Sequence, residues 1–316
     1  MTLPTLGLVG LGKIARDQHI PAIAATGLFE LAATVSPDGA TVDGVPTFRS
    51  QAEMLAALPG LDAVALCTPP AVRHGLTVEA LRAGKHVLIE KPPAATLSEL
   101  HDLVAEADSA RRTLFTAWHS QFNPAVEETR RRLADADIRS VAITWKEDVR
   151  RWHPGQDWIF AAGGFGVFDP GINALSILTD ILPAPVFVRS ADLHVPANRD
   201  TAIAATLEMR AAPGSRIGRV TADFDFLQQG EQTWAIVIES DRKTGGGRLD
   251  LTHGGTRLTV DGTPVLAEPD TEYQRIYRHF HRLIGDGVSD VDARPLSLVA
   301  DACMVGRWHR TDAFDW

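Results

Sequence analysis

Cysteine is scarce in this sequence. Among 316 residues there are two, Cys67 and Cys303, in unrelated contexts. Two isolated thiols give no disulfide framework and no thiolate metal cluster, which fits a reducing compartment and a cytoplasmic protein. Long apolar runs are also missing. None approaches the roughly 18–20 residues needed to span a bilayer, so no membrane association is expected. The chain enters a strand pattern directly after "MTLP", so no signal peptide is expected. No basic run exceeds three residues (Arg130–Arg132), and 31 basic against 40 acidic residues leave a net charge of −9. That balance argues against a nucleic-acid partner and implies only an acidic, solubilising shell. The histidines are scattered. His279 and His281, two apart on one helical pattern, face different sides, so no metal site is expected.

What is present is an apolar content of 45%, enough for two domains that each bury a core. The first third alternates short apolar runs with helical patterns. "TLGLVG" (5–10), "ELAATVS" (30–36), "LDAVALCTP" (61–69) and "KHVLIEKP" (85–92) read as strands, and "AVRHGLTVEALRAG" (71–84) as a helix closed by Gly84. Continuous apolar strands separated by helices predict a parallel sheet covered on both faces. "LFTAWHS" (114–120) adds a last strand, and the alternation ends there. Beyond it, extended runs at 186–195, 202–210, 216–227, 232–241, 248–252 and 256–260 follow one another through glycine-rich turns, predicting a large open, mainly antiparallel sheet. Helical patterns stand at 124–135, 271–287 and 294–311. The expected fold class is α/β. Domains are expected at 1–120, for dinucleotide binding, and 121–316, for substrate binding and self-association into a homo-oligomer.

"GLVGLGKIA" (7–15) carries Gly10, Gly12 and Ala15 in a G-x-G-x-x-A pattern after a strand and before a helix. Gly10 permits the tight turn. Gly12 lets the backbone approach a pyrophosphate, Ala15 lets helix and strand pack closely, and the helix start faces the anion. An acid at the end of the second strand would bind the 2′-hydroxyl of NAD. Here that strand ends "TVSPDG", placing neutral Ser36 there, with no arginine next to it in sequence and Asp38 close by. Lys13 is a candidate to neutralise a phosphate. NADP is therefore favoured, with NAD still compatible.

These residues, with "GLGKIARDQHIPAI", "CTPPAVRHG" and "EKPPA", resemble the Gfo/Idh/MocA oxidoreductases. "WHS" (118–120), "WKEDVRRWHPGQDW" (145–158) and "GVFDPGINALSIL" (166–178) look like the branch of that family that oxidises L-arabinose or D-galactose at C1. The resemblance spans the whole chain. It implies a Rossmann domain followed by an α/β domain whose open sheet carries the substrate site, and it puts the E-K-P lysine, Lys91, at the nicotinamide. Cofactor contacts are then expected from Gly10, Gly12, Lys13 and Ile14, from Ser36, from Thr68, Pro69 and His74, from Glu90 and Lys91, and from Trp158. The family's D-x-x-x-H pair becomes Asp169 and Asn173, and an amide cannot titrate, so the base must be another group.

Oxidising an aldose at C1 needs a base for the anomeric hydroxyl proton and fixed partners for the ring. Lys91 ends a parallel strand, where ligands of open α/β sheets bind, and can polarise the C1 oxygen. Asp169 reads two ways. Followed by Pro170, it suits a helix N-cap; one turn from Asn173, it suits catalysis on a shared face. Glu147, Trp152, His153, Trp234 and His119 are the expected sugar contacts. Carboxylates bind vicinal hydroxyls, and indole faces cover the C–H side of a pyranose. Core packing is the bland alternative for each tryptophan. The expected reaction gives an aldonolactone from L-arabinose, D-galactose or D-fucose. The alternatives are an NAD-dependent glycosidase of the same fold, or a silent sugar and dinucleotide sensor.

Overall fold

The computed structural model describes residues 2–316. Strands β1 (Thr5–Val9), β2 (Glu30–Val35), β3 (Thr47–Phe48), β4 (Ala63–Leu66), β5 (His86–Glu90) and β6 (Leu114–Ala117) form one parallel sheet in the order β3-β2-β1-β4-β5-β6. Helices α1 (Ile20–Thr26), α2 (Gln51–Ala57), α3 (Pro70–Arg82) and α4 (Leu97–Ala110) connect them. Leu6, Leu8, Val64, Leu66, Leu88 and Ile89 are wholly buried, as continuous apolar strands require when both faces are covered. The strand order reverses between β1 and β4, so the crevice for a ligand opens at their C-terminal ends.

The nine-stranded second sheet is built from β7 (Ile138–Lys146), β8 (Val186–Pro196), β9 (Ala204–Ala211), β10 (Ile217–Asp225), β11 (Thr233–Ser240), β12 (Arg248–Thr252), β13 (Arg257–Val260), β14 (Thr263–Ala267) and β15 (Arg307–Thr311). Two pairings, β7 with β10 and β8 with β15, are parallel; the others are antiparallel. Helices α5 (Pro124–Leu133), α7 (Phe168–Ile181) and α9 (Arg294–Val305) pack on this sheet, and a short α6 (Val149–Trp152) follows β7. Gly171 lets α7 come close: a Cβ there would meet the Phe224 ring of β10 at 3.2 Å.

Two expectations, and one of the two readings of Asp169, need correction. Helix α8 (Glu272–Asp286) does not belong with the second domain. One compact unit comprises Met1–His119 with Thr271–Ala293, the other Ser120–Asp270 with Arg294–Trp316. The reason is apolar: Tyr273, Ile276, Tyr277, Phe280 and Leu283 of α8 are buried, and Phe280 stacks on Phe29 and Phe115. Truncating such an aromatic costs about 3–5 kcal/mol. The segment after α8 then runs along β6, where Thr116 N–H donates to the Asp290 carbonyl and Trp118 Nε1 to that of Asp292. Second, the helix expected over 294–311 stops at Val305, and 307–311 pairs as an edge strand with β8. Third, Asp169 is not a helix cap. Helix α7 starts at Phe168 with Val167 as N-cap and no capping side chain, so Asp169 lies inside the first turn.

Candidate active site

In the first unit, Gly10 takes φ +94°, and a Cβ there would meet the Cys67 backbone at 3.1 Å. That is the close approach of β1 and the β4 loop that only glycine permits. A Cβ on Gly12 would meet nothing within 4 Å, leaving open space above the helix start. Ile14 precedes a π-helical turn (Ala15–His19) that runs into α1. Thr68, beside Pro69 in the loop after β4, has a buried hydroxyl with no partner among the described residues. The exposed Lys13 ammonium pairs with Asp17. His74 is engaged with a neighbouring helix, its Nε2 lying 2.7 Å from Asp102 of α4.

Ser36 is buried, and its hydroxyl donates to the Asp38 carboxylate, which also accepts from Ala40 N–H. The bond from Ser36 leads in lowering the Asp38 pKa, and the charge of Arg16 adds to it. The arginine missing from the local sequence arrives from further along the chain. Arg49 donates to the Pro37 carbonyl at 2.9 Å, and its guanidinium lies against Gly39.

The E-K-P turn rests on a buried polar network. Arg73 of α3 donates to the carbonyls of Glu90 and Pro92. The Glu90 carboxylate, 3% exposed, accepts from His19 Nε2 at 2.9 Å, the Tyr273 hydroxyl at 2.8 Å and the Lys91 backbone N–H at 3.0 Å. His19 Nδ1 meets the Tyr277 hydroxyl at 2.8 Å. Burial opposes ionisation of Glu90, yet the bond and charge of His19, helped by His119 and Arg73, hold its pKa at about 2. Burial likewise opposes a charge on His19, but Cys67, Tyr277 and Glu90 together raise its pKa well above the ordinary value. The pair is therefore an imidazolium on a carboxylate. Next to it, His119 Nδ1 meets Glu272 at 2.8 Å; burial works against the imidazolium, and Glu272 outweighs it, raising the pKa.

In the second unit, four of the five expected sugar residues, Glu147, Trp152, His153 and Trp234, lie near one another; His119 belongs to the first unit. Glu147, just past β7, is 6% exposed and accepts from Trp234 Nε1 of β11 at 2.9 Å. Trp152 and Trp234 lie with ring centroids 5.6 Å apart, and the Trp152 indole N–H is buried without a partner among the described residues. His153, at the C-terminal end of α6, places Nε2 3.4 Å from the Asp169 carboxylate. Asn173, one turn along α7, is half-buried.

The profile of an oxidoreductase family with an NAD-binding Rossmann fold matches residues 5–118. Galactose 1-dehydrogenase from Pseudomonas fluorescens is 47% identical over 310 residues, covering 98% of each chain. The chain belongs to the Gfo/Idh/MocA oxidoreductases. The solved D-galactose-1-dehydrogenase from Rhizobium etli is 50% identical, superposes with a TM-score of 0.94, and covers 100% of this chain and 99% of its own. A 3-ketoreductase from Actinomadura kijaniata, solved with NADP, is 19% identical with a TM-score of 0.81 over 98% of this chain and 100% of its own, a likeness of fold alone.

As a Gfo/Idh/MocA protein the chain should hold a nicotinamide dinucleotide, and the residues fit one. The space over Gly12, the helix start behind it and the orphaned Thr68 hydroxyl lie at the strand ends where a pyrophosphate and ribose would rest. Among the described residues no cluster of His, Cys, Asp and Glu suits a metal ion, and no helix is long and apolar enough to cross a membrane. Sequence reading missed His19, Arg73, Glu272, Tyr273 and Tyr277. The available signal was that Tyr273 and Tyr277, the chain's only tyrosines, stand four apart on one helix behind an acid.

Proposed function

We propose that the chain oxidises an aldopyranose at C1 to the aldonolactone with NADP or NAD, D-galactose being the first substrate and L-arabinose and D-fucose being accepted. The observation that carries this reading is the grouping, in the second unit, of the Glu147 carboxylate, two tryptophans and the His153–Asp169 pair. Carboxylate and indole together suit the hydroxyl and C–H faces of a sugar. The name of the 47% identical relative, galactose 1-dehydrogenase, supports D-galactose. L-arabinose lacks only the exocyclic CH2OH, a difference worth about 1–3 kcal/mol, so overlap follows.

Glu147, its carboxylate held by the Trp234 N–H, binds ring hydroxyls; Trp234 forms a wall beside it, and Trp152 covers the ring and offers its N–H. Asp169 takes the C1 hydroxyl proton, and Asn173 orients that oxygen. Lys91 polarises it, held at its backbone by Glu90, while His119 contacts the substrate. The dinucleotide, when bound, supplies the acceptor for the C1 hydride. Gly10, Gly12 and Ile14 would hold its pyrophosphate, with Thr68 and Pro69 at the nicotinamide side. Arg49 and Arg16 near Ser36 support NADP as the favoured form.

The test is a panel of aldoses with both cofactors, read at the absorbance band of reduced nicotinamide. The reading requires net reduction with D-galactose and appearance of the lactone. Binding without net reduction would instead favour a glycosidase or a sensor.

A further inference from the structure

We propose that His153 is the exit for the proton that Asp169 receives. The inference rests on the reading of Asp169 as the proton acceptor. Asp169 is 7% exposed, so a proton taken from the substrate hydroxyl needs a carrier to water before the next turnover. The His153 ring meets that need. Nε2 stands 3.4 Å from Asp169 Oδ2, and the side chain is 25% exposed.

Three side chains in a row set which nitrogen carries the proton. Trp158 Nε1 can only donate, and it lies 3.2 Å from Gln156 Oε1. That contact fixes the Gln156 amide with its oxygen inward. His153 Nδ1 lies 3.4 Å from the same oxygen, an acceptor that suits a proton on Nδ1. A neutral imidazole protonated on Nδ1 keeps its lone pair on Nε2, the nitrogen that faces Asp169. The indole thus sets the amide, the amide sets the tautomer, and the tautomer points an acceptor at the carboxylate. Asp169 sits on α7 and the relay on the segment after α6, so a neutral amide at position 173 does not leave the carboxylate without an imidazole.

The balance is complete. The C1 hydroxyl proton passes to the Asp169 carboxylate, and the C1 hydrogen would leave with its bonding pair to a nicotinamide dinucleotide when one is bound, so that C1–O would become a carbonyl. Protonated Asp169 then gives its proton to His153 Nε2, and the resulting imidazolium loses the Nε2 proton to water or buffer, which restores the ring protonated on Nδ1 for the next turnover. His153 acts through Asp169 and is a positioning and relay residue.

His153→Gln and Trp158→Phe test this. In H153Q, kcat should fall about 10- to 100-fold while KM for D-galactose stays within about twofold, and added imidazole should restore part of kcat. A raised KM with unchanged kcat and no rescue by imidazole would overturn the relay and leave His153 a sugar contact. Nitrogen-15 NMR of the protein without substrate gives an independent reading. The neutral His153 ring should be protonated on Nδ1 in the wild type and lose that bias in W158F; a wild-type ring protonated on Nε2 overturns the proposal. If the wild type reduces neither cofactor with any aldose, the proposed function falls and the relay with it, whatever the tautomer.

Discussion

His19 and Glu90, 71 residues apart in sequence, form a buried ion pair 2.9 Å long beneath the lysine of the E-K-P turn. A carboxylate in an apolar interior is costly unless paired and hydrogen-bonded. Here three donors satisfy it, one of them the facing His19 ring. Glu90 therefore holds the Lys91 backbone as a fixed anion.

Glu90→Gln should lower stability near neutral pH by on the order of 3 kcal/mol, because one member of a buried pair is lost. The sign of the pH effect follows from the depressed pKa. Between about 4.5 and about 2 the folded carboxyl holds fewer protons than the unfolded one, so its stabilising contribution is present above that window and is lost as pH falls through it. Thermal denaturation across this range should show a shallower acid slope in E90Q than in the wild type.

Trp234→Phe keeps an aromatic wall but removes one donor from the Glu147 carboxylate. A lost bond to a buried charged group is worth about 1.5–3 kcal/mol. Steady-state kinetics should show KM for D-galactose up about tenfold or more, with a smaller change in kcat. An unchanged KM would place Glu147 and Trp234 outside the sugar contacts.

Arg49→Ala should weaken NADP relative to NAD by about tenfold, the scale of one charge-assisted contact. Competition titrations of the two cofactors measure the ratio directly. An unchanged ratio would leave Asp38, bound to Ser36, as the group that sets cofactor choice.

Five of the six strands of the parallel sheet were legible because each is a short apolar run; the two-residue β3 (Thr47–Phe48), which follows β2 with no helix between, was not. The glycine loop was legible because its turn chemistry is local. Glu147, Trp152, His153 and Trp234, proposed as sugar contacts, also lie close together in the second unit. What escaped sequence reading is long-range. Tyr273 reaches Glu90 across 183 residues, and no local pattern announces that. Strand Arg307–Thr311 read as helix because it continues the α9 pattern and is almost wholly exposed, so it lacks the alternation that marks a half-buried strand. The cap reading of Asp169 arose because Asp-Pro is a good helix start; the turn through Gly166 begins the helix earlier and carries the carboxylate inside it.

The role of Asp169 is the centre of this account, and Asp169→Asn tests it most directly. The amide matches the carboxylate in shape but cannot take a proton. Rates of nicotinamide reduction with D-galactose should fall by about 10²- to 10⁴-fold with the melting temperature nearly unchanged. A variant that melts earlier yet keeps the wild-type rate would contradict the account and make Asp169 a structural residue of α7.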